Sequence, residues 1–155
     1  MQILETSGDI FFLPQNEKEA LCITTNGITK KNGDAVMGAG IAKACAQAFP
    51  YIPKRLGMLL KNTGNHVYFL GLVKYDCYEY CLFNFPTKND WRENSDIELI
   101  RQSCSEIVKI VDMMELTRVY IPQPGCTNGH LDWESQVKPA IENLLDSRFT
   151  IVIRR

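Results

Sequence analysis

The sequence predicts an α/β protein, a three-layer α/β/α sandwich built on a mixed, mostly parallel sheet. Short β-branched apolar runs alternate with helix-patterned segments through much of the chain, which is the pattern of a sheet covered by helices on both faces. Two adjacent apolar runs, residues 67–73 and 78–85, are close enough to pair as a hairpin and give the sheet some antiparallel character. A length of 155 residues, 45% hydrophobic and 23% charged, has room for one well-filled core, so residues 1–155 are expected to form a single domain.

Residues 2–6 and 10–13, separated by Ser7-Gly8-Asp9, suggest one or two opening strands. Residues 20–25 (ALCITT) read as a buried strand. A polar, glycine-bearing loop follows over residues 26–34. The Ala-rich stretch 41–49 reads as a helix that Pro50 ends, and 51–61 as a second helix closed by a turn at Thr63-Gly64-Asn65. After the hairpin, Ile97, Ile100, Cys104, Ile107, Val108, Val111 and Met114 recur at spacings of three and four, predicting a helix over 95–116 with Ser95 and Glu98 as its capping box. A strand at 118–122, a loop at 123–131, a helix at 133–145 and a final strand at 149–153 complete the alternation. Pro139 must sit in the first turn of that last helix or kink it.

Composition narrows the function. With 17 basic and 18 acidic side chains, net −1, there is no global attraction to nucleic acid or membrane surfaces. The start MQILETSGDI has no secretory pattern, and the apolar runs fall well short of the roughly 20 residues of a membrane span. A soluble, cytoplasmic protein is expected. None of the six cysteines forms a C-x-x-C pair, and the two histidines, His66 and His130, flank no cysteine pair, so structural thiols and no metal site are expected.

In open α/β sheets ligands bind outside the carboxyl ends of the strands. Two glycine loops fall there, Met37-Gly38-Ala39-Gly40-Ile41 and Gly125-Cys126-Thr127-Asn128-Gly129. Glycines let the backbone approach a ligand closely and aim its amides inward, and a following helix N-terminus favours negative charge. Two such loops at one sheet edge fit the two phosphates of a diphosphate; tight turns without a ligand are the plainer alternative. Neither loop is a Walker or a G-x-G-x-x-G motif.

Asp9 can accept a hydrogen bond from an exocyclic amine such as adenine's, or cap its own turn. Lys88, in Asn84-Phe-Pro-Thr-Lys88-Asn-Asp-Trp91-Arg92, can attack a sugar's anomeric carbon as an amine, stabilise charge there as a cation, or be an ordinary solvated lysine. Trp91 covers a ligand or seals the core. Arg92 serves the site or pairs with Glu93 or Asp96. His130 is a candidate proton carrier, and Asp132 an N-cap.

At these same residues the chain resembles a macrodomain, the ADP-ribose-binding α/β/α module. The resemblance spans nearly the whole chain through Gly8-Asp9-Ile10, Ile23-Thr-Thr25-Asn26, Val36-Met-Gly-Ala-Gly-Ile-Ala42, Phe85-Pro-Thr-Lys88 with Trp91-Arg92, and Pro124-Gly-Cys-Thr-Asn-Gly-His-Leu-Asp-Trp133. The Met-Gly-x-Gly loop and the Phe-Pro-Thr-Lys segment place the resemblance in the branch of the terminal ADP-ribose protein glycohydrolase and the DNA-directed antitoxin glycohydrolase. It implies that Asp9 and Ile10 hold adenine, that Asn26 lies by the distal ribose with Thr25 also in the ligand site, that residues 37–41 wrap the diphosphate and that ribose, that residues 124–129 close the second phosphate side, and that Lys88 acts at ribose C1″. The implied activity is an ADP-ribosyl glycohydrolase that frees ADP-ribose from a DNA base or a protein carboxylate, with no cofactor besides the ligand itself. Single-stranded DNA is a further expected partner, and a monomer the expected state. A non-catalytic ADP-ribose reader, an ADP-ribose 1″-phosphate phosphatase and a protein-interaction module with a vestigial pocket are the alternatives. Three departures from the branch stand out: a long 27–35 loop, Thr127 and His130 where the antitoxin pattern has glycines, and Gly129 where the protein-directed enzyme has an aspartate. The last favours chemistry centred on the lysine alone.

Overall fold

In the computed structural model, which describes residues Met1–Arg155, six strands form one sheet. They are β1 (Gln2–Thr6), β2 (Glu19–Thr25), β3 (Phe69–Tyr75), β4 (Tyr78–Pro86), β5 (Arg118–Pro122) and β6 (Phe149–Arg154), in the order β1-β6-β5-β2-β4-β3. Four of the neighbouring pairs are parallel, and β3–β4 is the antiparallel hairpin. The expected mixed, mostly parallel sheet is therefore the observed one.

The side-chain alternation of the central strands builds two cores. Ala20 and Cys22 of β2, with Phe83 and Phe85 of β4, face the long helix α3 (Ile97–Met114) through Ile100, Cys104, Ile107 and Val111. Leu21 and Ile23, with Tyr80 and Leu82, face the opposite layer, made of α1 (Gly40–Ala48) and α2 (Ile52–Thr63). Period-two alternation in strands packed on both sides gives the three layers. No helix is long and apolar enough to cross a membrane.

Four local expectations need correction. Residues 10–12 form a 3-10 turn, because Asp9 Oδ1 accepts from the Phe11 amide at 2.9 Å and withdraws the segment from the sheet. The strand expected at 67–73 starts two residues later, since the amides of Val67 and Tyr68 are taken by the side chains of Glu106 and Asn84. The α3 cap is Asp96, whose Oδ1 accepts from the amides of Glu98 and Leu99; the Ser95–Glu98 box does not form. The helix expected at 133–145 is a π turn at Trp133–Val137 followed by one turn, α4 (Lys138–Ile141), with Pro139 in its opening turn. The Val137 amide reaches back to the Asp132 carbonyl, widening the start, and Asp132 caps it through the Ser135 amide as expected.

The parallel strands β2, β4, β5 and β6 end along one edge of the sheet, with Thr25 paired to Pro86 and Pro122 to Val152. The two glycine loops and Lys88 lie at that edge.

Candidate active site

A cavity of about 660 Å³ opens at this edge. It is walled by the ends of β2 and β4 (Thr24, Thr25, Thr87), the first glycine loop and the start of α1, the second glycine loop, and Arg154 at the end of β6. Of the sequence-predicted residues, Thr25, Asn26, Gly38, Ala39, Gly40, Ile41, Lys88, Trp91, Gly125, Thr127, Asn128 and Gly129 border it.

The two loops face each other. A Cβ on Gly40 would lie 3.0 Å from Asn128 Nδ2, so the first loop approaches the second as closely as a glycine permits. Gly40 is at φ 58 and Gly125 at φ 78, in the left-handed region that glycine enters without strain. The first loop leads into α1, whose opening amides and dipole favour an anion. The second leads into a shorter helical segment, the π turn and α4, which begins only at Trp133, four residues after the loop.

Lys88 stands two residues beyond β4 and is buried, 9% exposed. Its Nζ donates to the carbonyl of Asn128 at 3.1 Å, which ties the lysine to the second loop and leaves its other donors for the cavity. Its backbone is held from below: Asn65 Nδ2 donates to the Lys88 carbonyl at 3.1 Å and to Asn89 Oδ1 at 3.0 Å, and the Gly27 amide donates to the Asn89 carbonyl. No aspartate, glutamate or histidine borders the cavity; its charged groups are Lys88 and Arg154, both cationic.

Ser95 also borders it, turned away from its expected capping role. Its amide donates to the Gly129 carbonyl at 3.0 Å, and its hydroxyl is buried under Gly129 without a hydrogen-bond partner. A Cβ at Gly129 would meet Ser95 Oγ at 2.0 Å and the Gly125 carbonyl oxygen at 2.5 Å. The backbone here has room for glycine only.

Other predicted residues fall elsewhere. Asp9 lies in an adjoining cavity of about 390 Å³ with Phe11, Gln47 and Tyr75, and Arg154 borders both cavities. Asp9 Oδ2 accepts from the Tyr75 hydroxyl at 2.6 Å. Ile10 is buried in the core beside it, and Met37 is buried in the core beneath the first loop. Asn26 uses its amide to hold its own loop, donating to the Val36 carbonyl and accepting from the Ile28 amide. Pro124 and Cys126 belong to the second loop without bordering the cavity; the Cys126 thiol is pushed up to about 11, chiefly by burial and then by Asp132. His130 is exposed, at φ 62, and outside the cavity. Arg92 does not pair with Glu93 or Asp96: it forms a two-point ion pair with Asp90, at 3.0 and 2.6 Å, and holds that carboxyl down at about 2.

Sequence reading missed Arg154, Ser95 and Asn65. The end of β6 was a positional signal for Arg154, because parallel strand ends share the ligand edge. Ser95 was masked by its perfect capping-box spacing, and nothing in the sequence marked Asn65.

No protein-family model matches the chain. Among curated proteins, the DNA ADP-ribosyl glycohydrolase of Thermus aquaticus is 29% identical over 134 residues, covering 83% of this chain and 34% of the relative. The protein of the same name from Mycobacterium tuberculosis is 28% identical over 131 residues, with the same coverage. The chain thus spans about a third of the length of these relatives. Among solved structures, the macrodomain of Mycobacterium tuberculosis DarG superposes with a TM-score of 0.73 at 25% identity, covering 99% of this chain and 97% of that one. Thermosipho africanus DarTG in complex with ADP-ribose superposes at 0.76 and 22% identity, over 98% of this chain and 41% of that one. The chain has the macrodomain fold.

Proposed function

We propose that this chain is an ADP-ribosyl glycohydrolase that frees ADP-ribose from a modified base of DNA, with Lys88 acting at ribose C1″. The observation that carries this reading is the isolation of Lys88: a buried lysine, fixed by a loop carbonyl, in a cavity between two facing glycine loops with no acid or imidazole on its walls. Such a site supplies no carboxylate to serve as general base, so the chemistry falls to the lysine and to backbone amides. The curated relatives' names support DNA as the substrate, and the DarTG structure supports ADP-ribose as the ligand.

The ligand extends over both cavities in this reading. Adenine lies toward Asp9, the diphosphate passes Arg154 and rests on the amides of residues 38–41 and 125–129, and the distal ribose reaches Lys88. Each cavity alone, about 660 and about 390 Å³, falls within the roughly 300–1,000 Å³ common for small-molecule sites, and together they leave room for an extended dinucleotide-like ligand. In the nucleophilic form of the reaction the Lys88 amine bonds to C1″ as the C1″–base bond breaks. The base leaves with a proton, and water then releases ADP-ribose and restores the amine.

A single-stranded oligonucleotide carrying one ADP-ribosylated base tests the proposal. Free ADP-ribose and the unmodified oligonucleotide are the expected products. Lys88→Ala is expected to lower turnover by about 10²–10³-fold or more while ADP-ribose still binds. Undiminished release by Lys88→Ala, or ADP-ribose binding without release by the wild type, overturns it. The second outcome makes the chain a reader.

A further inference from the structure

Trp91 is the aromatic residue on the wall of the Lys88 cavity. It stands three residues after Lys88, borders the cavity, and is 55% exposed, which is unusual for an indole in a well-packed domain. One neighbour packs on it. The Arg92 guanidinium sits 5.6 Å from the centre of the indole ring, in cation–π range, and is itself anchored by both carboxylate oxygens of Asp90. The Arg92 amide donates to Asp90 Oδ1 at 3.0 Å and the Glu93 amide to the Asp90 carbonyl, so the turn beneath the ring is closed. Upstream, Asn65 and Gly27 fix Lys88 and Asn89. Arg92 covers the indole on one side.

Position assigns the open side of the ring. Arg154 and Asp9 mark the end of the site away from Lys88, and Trp91 does not border the Asp9 cavity. The indole therefore lies at the reacting end, where the group joined to C1″ leaves the cavity. Arg92 is neutralised by Asp90, so it offers a strand little free charge. What this corner presents is a flat, exposed aromatic surface, the kind that single-stranded nucleic acid uses as a stacking platform for its bases.

We propose that Trp91 stacks on a nucleobase flanking the ADP-ribosylated one, so that the enzyme reads a short piece of single strand around the modification. This rests on the DNA glycohydrolase reading above. One stacked base contributes about 1–3 kcal/mol by alanine substitution, which corresponds to roughly 5- to 150-fold in affinity.

The test uses ADP-ribosylated single-stranded oligonucleotides, intact or with the flanking nucleotides made abasic, and free ADP-ribose as control. Binding is measured by fluorescence anisotropy with Lys88→Ala as the background, and turnover with wild-type Lys88. Trp91→Ala is expected to weaken the intact oligonucleotide about tenfold, to leave free ADP-ribose within twofold, and to add nothing once the flanking bases are absent; Trp91→Phe is expected to recover most of the loss. Equal weakening of free ADP-ribose, or an abasic oligonucleotide bound as well as the intact one, overturns the stacking role. Because stacking is read from binding and hydrolysis from product release, absent turnover would count against the glycohydrolase alone.

Discussion

Substituting Gly129 by alanine probes the centre of the site with one methyl group. The added Cβ would lie 2.0 Å from Ser95 Oγ, 2.5 Å from the Gly125 carbonyl oxygen and 2.7 Å from Ser95 Cβ. Real Cβ contacts essentially never fall below 3.0 Å, so the shortfalls are 1.0, 0.5 and 0.3 Å. Rotating the serine hydroxyl removes only the first. The other two involve backbone or the base of a side chain, and the Ser95 amide is already bonded to the Gly129 carbonyl, so loop 125–129 must shift by roughly half an ångström or more. Asn128, the neighbouring residue, carries the carbonyl that holds Lys88 Nζ. Overpacking of this kind costs about 1–3 kcal/mol, or about 2–12 °C in Tm for a chain of this length. Misplacing a catalytic group by about 1 Å costs on the order of 10²-fold in rate, so a tenfold or greater fall in kcat/KM is expected. Thermal unfolding and ADP-ribose release measure the two effects. Adding Ser95→Gly removes two of the three clashes and is expected to restore part of both. Wild-type Tm and wild-type turnover in Gly129→Ala would refute the packing described for this loop. The same crowding opposes an aspartate at 129, so Gly129→Asp is not expected to create a working lysine/aspartate pair.

Two further outcomes follow from the structure. Tyr75→Phe removes the donor to Asp9 Oδ2 and about 1 kcal/mol of hydrogen bonding, and is expected to reduce the preference for ADP-ribose over its hypoxanthine analogue in competition binding. The Tyr75 hydroxyl is held above its ordinary value of 10.0, first by its hydrogen bond to Asp9 and then by burial, so its contribution is complete below pH 10 and is lost only as pH rises through that higher value; a loss of ADP-ribose affinity between pH 7 and 9 that Tyr75→Phe abolishes would contradict this assignment. Of the six thiols, Cys77 alone is exposed, and Cys126 is half-buried with its thiol raised to about 11. Iodoacetamide at pH 7 is expected to label Cys77 quickly and Cys126 slowly, with Cys126 speeding up as the pH climbs; equal rates at pH 7, read by peptide mass spectrometry, would count against the described loop.

The sheet was legible because short β-branched apolar runs recur between helix-patterned segments, and residues 20–25 read as a buried strand; which of its side chains face which layer, Ala20 and Cys22 against Leu21 and Ile23, came from the structure. What escaped the sequence was competition between local and distant partners. Ser95 has ideal capping-box spacing with Glu98, yet Asp96 takes the cap and the Ser95 amide goes to Gly129, a pairing 34 positions away that no local rule weighs. Asn65 is invisible for a similar reason: its value lies in bridging to Lys88 and Asn89. The 27–35 loop was seen as long but not as anchored. It folds back through a Thr29–Ala35 bridge onto α2, where a Cβ at Gly57 would meet the Gly33 carbonyl oxygen at 1.9 Å.

The charge balance takes on a different meaning once the site is built. The chain as a whole carries −1, yet the cavity has two cations and no anion on its walls. Lys88 is buried, so its charge acts on a diphosphate at short range and is screened little by salt, whereas Arg154 is exposed and is screened. A near-neutral exterior, in contrast, gives no long-range pull on a DNA backbone. Affinity for ADP-ribose should therefore fall only modestly between low and moderate salt, by the part that the exposed Arg154 contributes. Any preference for a modified strand over the free nucleotide must come from short-range contacts at the mouth. Arg92 is neutralised by Asp90, which leaves the exposed ring of Trp91 as the group at that end able to supply it.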